Sequence, residues 1–176
     1  MRTVGDPFPR YDLTGVVSSE PSDAFQRFDE RSHAGRWRVL FFYPKDFTFV
    51  CPTELRGFAE LLPEFEKRGA AVLGVSTDSE YAHLAWRERD PGLRDLPYPL
   101  LSDQKRELSQ ALGILDRREG VCLRATFVVD PEGVIRFASA NDLAVGRSPR
   151  EVLRVLDALQ TGSLCACERA PGGGTL

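Results

Sequence analysis

The sequence predicts an α/β domain in which a mixed β-sheet carries helices on both faces. Two short apolar runs with β-branched content, "RVLFFY" (Arg38 to Tyr43) and "AAVLGVST" (Ala70 to Thr77), read as buried strands. Between them, "PTELRGFAELLPEFEKRG" places Leu55, Phe58, Leu61, Leu62 and Phe65 at helical spacing with charges between, and Gly69 supplies a stop. Strand, helix and strand over about forty residues is the size of a βαβ unit. Beyond it the alternation of helices and strands continues, then gives way to a hairpin and a last helix.

The elements follow in order. Pro63 falls inside the first helical pattern and predicts a kink or break near Leu62. After Asp78 and Ser79, either of which can cap, "EYAHLAWRERD" reads as a helix stopped by Pro91 and Gly92. "YPLLSD" is a short strand, and "KRELSQALG" a helix ending at Gly113. "RATFVVD" and "VIRFASA" are strands joined at Asp130 to Gly133, which carries hairpin turn chemistry. The last helix, "SPREVLRVLDALQTG", has Ser148 at its cap, Pro149 at its first position, Glu151 at capping-box spacing and Gly162 at its end. "SLCACERAPGGGTL" has no periodicity and is expected to be a mobile tail. No internal repeat and no second domain is visible.

Composition removes several classes of function. A chain of 176 residues suffices for one domain with a proper core. A net charge of −3, with basic and acidic residues interspersed, gives no footprint for nucleic acid. No apolar run approaches the roughly 20 residues needed to span a membrane. The start, "MRTVGDPFPRYDL", lacks the apolar core of a secretory signal. Four cysteines are too few for a disulfide-stapled secreted scaffold, so a cytoplasmic chain with a reactive thiol is expected.

The reactive candidate is Cys51 in "FFYPKDFTFVCPTEL". It follows a buried strand and opens a helix, where unpaired N–H groups and the positive end of the helix dipole favour thiolate over thiol. Pro52 is tolerated there because its missing N–H has no partner to lose. Cleaving an O–O bond also needs a hydroxyl, N–H groups and a cation fixed around the departing oxygen. Thr48, three residues earlier, faces the same way if the turn is helical. Pro44, which carries no N–H, can cover the thiol against water. Arg124 opens "RATFVVD", and a strand starting beside the first can deliver its guanidinium. Taken singly, each residue has a plainer reading: an inert core cysteine, a helix cap at Thr48, a surface charge at Arg124, ordinary first-turn chemistry at Glu54.

Together they carry a resemblance. The segment "PKDFTFVCPTEL" resembles the active-site segment of peroxiredoxins, with the pattern P-x-x-x-T-x-x-C met at Pro44, Thr48 and Cys51. The likeness continues through "GVSTDSEYAHLAWR", "PLLSDQKRELSQALG", "LRATFVVDPEGVI" and "VGRSPREVLRVLDALQT", and is weakest before about Arg36. It is nearest to the catalytic subunits of alkyl hydroperoxide reductases, the typical 2-Cys class, and "LCAC" resembles the actinobacterial branch. The resemblance implies a thioredoxin-like fold over residues 1–162, followed by a tail, 163–176, with the resolving cysteine. It implies that Cys51 is oxidised by hydrogen peroxide or organic hydroperoxides to a sulfenic acid, with Thr48 and Arg124 holding the substrate oxygens and Pro44 shielding the pocket. No cofactor is implied, because the electrons come from cysteines. The partners implied are a peroxide, a second subunit in a homodimer built into a ring of dimers, and a protein dithiol reductant, lipoyl-linked or thioredoxin-type.

A sulfenic acid must be captured by a second thiol or risk irreversible over-oxidation. Cys122, Cys165 and Cys167 are the candidates, and a flexible tail favours the last two. Matching the family makes Cys165 the resolving cysteine, reaching Cys51 of the other subunit, with Cys167 an accessory thiol. Cys122, alternating with Arg124 along "VCLRATF", reads as a packed structural thiol. A zinc site at C-x-C lacks further ligands, since His33 and His83 lie in unrelated contexts. A thioredoxin-like exchanger is disfavoured because there is no C-x-x-C. A holdase or redox-sensing role for the same chain would survive loss of Cys51, whereas peroxidase activity would not. Two departures from the family pattern stand out. Glu168 and Arg169 follow the tail cysteines where the actinobacterial branch carries a tryptophan, and "RDLPYPLLSD" lacks the Gly-Gly-Leu-Gly insertion of over-oxidation-sensitive relatives. The second implies a robust enzyme.

Overall fold

The computed structural model describes residues 1–176. Its central sheet has seven strands in the order β2-β1-β5-β4-β3-β8-β9, with β1 Asp12–Val16, β2 Phe25–Asp29, β3 Trp37–Phe42, β4 Ala70–Ser76, β5 Leu100–Ser102, β8 Arg124–Val129 and β9 Ile135–Asn141. A separate two-stranded ribbon joins β6 Leu115–Asp116 to β7 Val121–Cys122. The pairs β3–β4 and β4–β5 are parallel and the others in the large sheet antiparallel, so the sheet is mixed as expected.

β3 sits between β4 and β8, and its alternation divides the core. Val39, Phe41 and Tyr43 join one cluster with Phe58, Phe65, Trp86 and Leu156. Leu40 and Phe42 join the other with Phe8, Leu108, Leu112 and Phe127. The first face is covered by α1 (Cys51–Lys67) and α4 (Pro149–Gln160), with Trp86 of α2 (Glu80–Arg89); α3 (Glu107–Leu112) and the N-terminal segment cover the second. No helix is long and apolar enough to cross a membrane.

Most helix boundaries follow the local chemistry. Ser79 and not Asp78 caps α2, its hydroxyl accepting from the Ala82 N–H. Ser148 caps α4, but the Glu151 carboxylate turns to Arg154 instead of closing the capping box. Gly69 and Gly113 take left-handed φ values of 65° and 70° just beyond α1 and α3. The break expected at Pro63 is absent: α1 runs unbroken for 17 residues. Pro63 lies on the exposed side, while buried Leu62 and Phe65 pin the chain on either side of it. Cys122 and Arg124 do not share a strand, because Leu123 separates β7 from β8. β1 and β2, short and half polar, drew no expectation from sequence.

The tail beyond α4 has no helix or strand, in line with expectation, yet it is tied down. Arg169 is 9% exposed and its guanidinium meets Asp157 on α4 at 2.6 Å. In the main core, Phe58 stacks on Phe41 with ring centroids 4.1 Å apart. Phe58→Ala is expected to destabilise the protein by about 3–5 kcal/mol, read as a lower urea midpoint at unchanged slope.

Candidate active site

Phe42 ends β3, and Tyr43 to Val50 form the loop that delivers Cys51 as the first residue of α1. Val50 is the N-cap residue without a side-chain cap, so donors of the first turn are not taken up by a capping oxygen. Pro52 stands in that turn as expected. Cys51 is fully buried. Its sulfur accepts from Nη1 of Arg124 at 3.4 Å, so β8 does bring its first residue to the cysteine.

The same Arg124 nitrogen donates to Oε2 of Glu54 at 2.6 Å, and its Nε to the Leu143 carbonyl at 2.7 Å. Glu54 also holds Arg147, which donates from Nε to Oε1 at 2.8 Å, from Nη2 to Oε2 at 3.0 Å and from its backbone N–H to Oε1 at 2.9 Å. Arg147 lies over the Phe41 ring, 5.4 Å from its centroid, and donates to the Ala125 carbonyl. All three side chains are at most 4% exposed. Sequence reading missed this arrangement: Glu54 looked like ordinary helix-start chemistry, and Arg147 was not singled out at all. Two cations on one buried carboxylate keep a net positive charge beside the sulfur.

A second buried network fixes the loop. Asp46 accepts from Tyr43 Oη at 3.0 Å, and its other oxygen lies 2.7 Å from Nδ1 of His83. Nε2 of His83 faces the Leu101 carbonyl, which only accepts, so that nitrogen carries a hydrogen. The Asp46 N–H donates to Asp78. Burial drives the Asp46 carboxyl above its usual range, against the pull of His83, and drives the Tyr43 phenol well up. Cys122 donates its S–H to the Tyr43 carbonyl at 2.9 Å, and burial raises its pKa. Its sulfur is therefore a donor, whereas that of Cys51 is an acceptor.

The remaining expected residues are placed unequally. Pro44 is buried in the loop. Thr48 is half-buried and lies before the helix, past Phe47 with its left-handed φ of 57°, so the helical-turn argument for its direction does not hold. Its hydroxyl donates to the Lys45 carbonyl at 3.0 Å, and no hydrogen bond joins it to Cys51. Cys165 lies apart, 3.4 Å from Thr161 Oγ1 and 3.8 Å from the Ala158 carbonyl, at the end of α4. Cys167 is exposed.

With this geometry in view, the comparisons are decisive. The AhpC/TSA family pattern matches residues 4–138. The chain belongs to the AhpC/TSA family. Alkyl hydroperoxide reductase C of Mycobacterium tuberculosis is 52% identical over 182 residues, spanning 99% of this chain and 93% of the relative. Peroxiredoxin-2 of Bos taurus is 43% identical over 180 residues, spanning 98% and 88%. Among solved structures, Mycobacterium tuberculosis AhpC superposes with a TM-score of 0.88 at 52% identity, covering 94% of this chain and 97% of that one. A reduced Plasmodium vivax 2-Cys peroxiredoxin gives 0.90 at 33% identity, covering 99% and 92%. The AhpC/TSA chain therefore has the thioredoxin-like fold and is a thiol-dependent peroxidase.

Glu54→Gln is expected to cost about 3–5 kcal/mol, because Arg124 and Arg147 would repel across a site with no counter-charge. Burial raises the Glu54 carboxyl, but the hydrogen bonds and charge of Arg147, then Arg124, outweigh it and hold the group below its usual range. A depressed carboxyl adds stability that is complete above the ordinary value of about 4.3 and is lost as pH falls through the folded one. Urea midpoints between neutral and acid pH should therefore fall steeply below about pH 4 in wild type and less steeply in Glu54→Gln.

Proposed function

We propose that Cys51 is the peroxidatic cysteine, reducing hydrogen peroxide and alkyl hydroperoxides. The observation that carries this reading is the cationic donor Arg124 at 3.4 Å from the sulfur that opens α1. In the reaction the thiolate attacks one peroxide oxygen. An S–O bond forms, the O–O bond breaks, and the departing oxygen takes a proton to leave as water or alcohol. Arg124 stabilises the negative charge developing on that oxygen, with Glu54 and Arg147 holding the guanidinium in place. Thr48 has its hydroxyl hydrogen committed to Lys45, leaving lone pairs to accept from the peroxide O–H. Pro44 closes the pocket without adding an N–H for water. Because Cys51 is fully buried, the 44–50 loop must part for substrate to enter.

Cys165 would then attack the sulfenic sulfur. The S–S bond forms, the S–O bond breaks, and the hydroxyl leaves as water with the thiol's proton. The geometry supports a partner in a second subunit. α4 lies beside α1 with Asp157 against Arg68, the residue just beyond α1, and Cys165 packs at that same end. Cys51 opens the other end of a 17-residue helix, about 25 Å away at about 1.5 Å per residue. The five residues from Gln160 to Cys165 span only about 17 Å fully extended. A homodimer, built further into a ring of dimers, brings the two thiols together in this reading. A protein dithiol, lipoyl-linked or thioredoxin-type, then reduces the disulfide in the cytoplasm. Residues 1–162 form the catalytic domain and 163–176 the resolving tail.

Peroxide consumption with a dithiol reductant tests the assignment. Cys51→Ser is expected to abolish turnover, and Arg124→Gln to lower the rate of Cys51 oxidation by about a hundredfold to a thousandfold. Undiminished activity in Cys51→Ser would overturn it. After one equivalent of peroxide, a non-reducing gel should show a disulfide-linked dimer in wild type and none in Cys165→Ser.

A further inference from the structure

The tail that carries Cys165 is wrapped around one guanidinium. Arg169 donates from Nη1 to Asp157 Oδ2 at 2.6 Å, from Nη2 to the Gly173 carbonyl at 2.6 Å and from Nε to the Gly174 carbonyl at 3.1 Å. Asp157 also accepts from Gly172 N–H at 2.9 Å and from Nε of Arg68 at 2.8 Å, and Arg68 in turn pairs with Glu64. The Leu176 N–H closes the wrap on the Leu164 carbonyl at 2.9 Å. Glu168, between the two thiols and the arginine, adopts a left-handed φ of 54°, which a non-glycine residue takes up only where its surroundings impose it. A tail of this composition has little reason to be ordered without such an anchor.

We propose that the Asp157–Arg169 ion pair is a clasp that parks the tail on α4, and that its opening governs how fast Cys165 captures oxidised Cys51. The proposal rests on Cys165 being the resolving thiol. Closed, the clasp holds that sulfur against Thr161 and Ala158 at the far end of the subunit from its own Cys51. Reaching another subunit's Cys51 requires residues 163–169 to leave α4, which breaks the pair. Arg169 and Asp157 are thus positioning residues and touch no reacting atom. Both side chains are largely buried, 6% and 13% exposed, so salt screens the pair weakly. Burial opposes ionisation of Asp157, but hydrogen bonds from Arg169, Gly172 and Arg68 hold its carboxyl down to about 2. The clasp therefore stays charged throughout the neutral and mildly acid range.

The test uses the full reduced chain mixed rapidly with one equivalent of hydrogen peroxide, quenched with a thiol-alkylating reagent and read by intact mass and non-reducing gel. Oxidation of Cys51 should keep its wild-type rate in Arg169→Gln, because the clasp lies at the other end of α1. The later first-order formation of disulfide should speed up about tenfold, the equivalent of one charge-assisted hydrogen bond. Arg169→Lys, which keeps the charge but not the forked donors, should fall between, and Asp157→Asn should repeat the acceleration from the helix side. At excess peroxide the sulfinic fraction of Cys51 should drop in both fast variants. Disulfide formation unchanged or slower in Arg169→Gln and Asp157→Asn overturns the clasp. A disulfide that persists in Cys165→Ser shows instead that the resolving assignment is wrong, and the clasp proposal falls with it.

Discussion

The site depends on one buried carboxylate. Glu54 receives Arg124 from β8 and Arg147 from the segment before α4, so three parts of the chain meet on two oxygens. Without it two guanidinium groups would face each other in a space from which water is excluded, an arrangement that costs several kcal/mol. With it, Arg124 is held where one nitrogen serves both the carboxylate and the cysteine sulfur. The order of strands matters for this reason: only because β8 pairs with β3 does a residue so distant in sequence stand over the helix that β3 feeds.

The loop between β3 and α1 is held from behind by a buried network that makes no hydrogen bond to Cys51. Tyr43, Asp46 and His83 share their hydrogen bonds with no solvent nearby, and Cys122 secures the Tyr43 carbonyl. The contrast between the two buried cysteines is one of partners. Cys122 gives its hydrogen to a carbonyl oxygen; the sulfur of Cys51 receives one from a guanidinium. Burial alone distinguishes neither.

Much of this was legible in the sequence where the signal is local. The strand–helix–strand unit, the cysteine at the helix start, the hairpin at Asp130 and the last helix all announce themselves through period, caps and turn residues. Arg124 was legible because it opens a recognisable strand. Glu54 and Arg147 were not, since an acid in a first turn is common and their contact spans 93 residues with no pattern between. Pro63 misled because propensity argues for a break that buried neighbours on both sides override. The tail's composition suggested looseness, and only the position of Asp157 one helix away shows what Arg169 can do with it. β1 and β2 escaped notice because short strands at one side of a sheet need little apolar sequence.

The helix that bears Cys51 is made of two stretches of unequal permanence. Toward its end Leu62 and Phe65 lie in the core, and Arg68 beyond it is moored to Asp157. At its start Pro52 offers no N–H, and the amides of Thr53 and Glu54 reach back to the Val50 carbonyl at 3.1 and 3.3 Å, joined by the Thr53 hydroxyl at 2.7 Å. Few backbone bonds would be given up if that first turn opened, while the Glu54 ion pairs and Phe58 mark where the opening would stop. In the role proposed for Cys51, reactivity and durability fall to opposite ends of one helix, and the cysteine occupies the end that the chain can most readily let go.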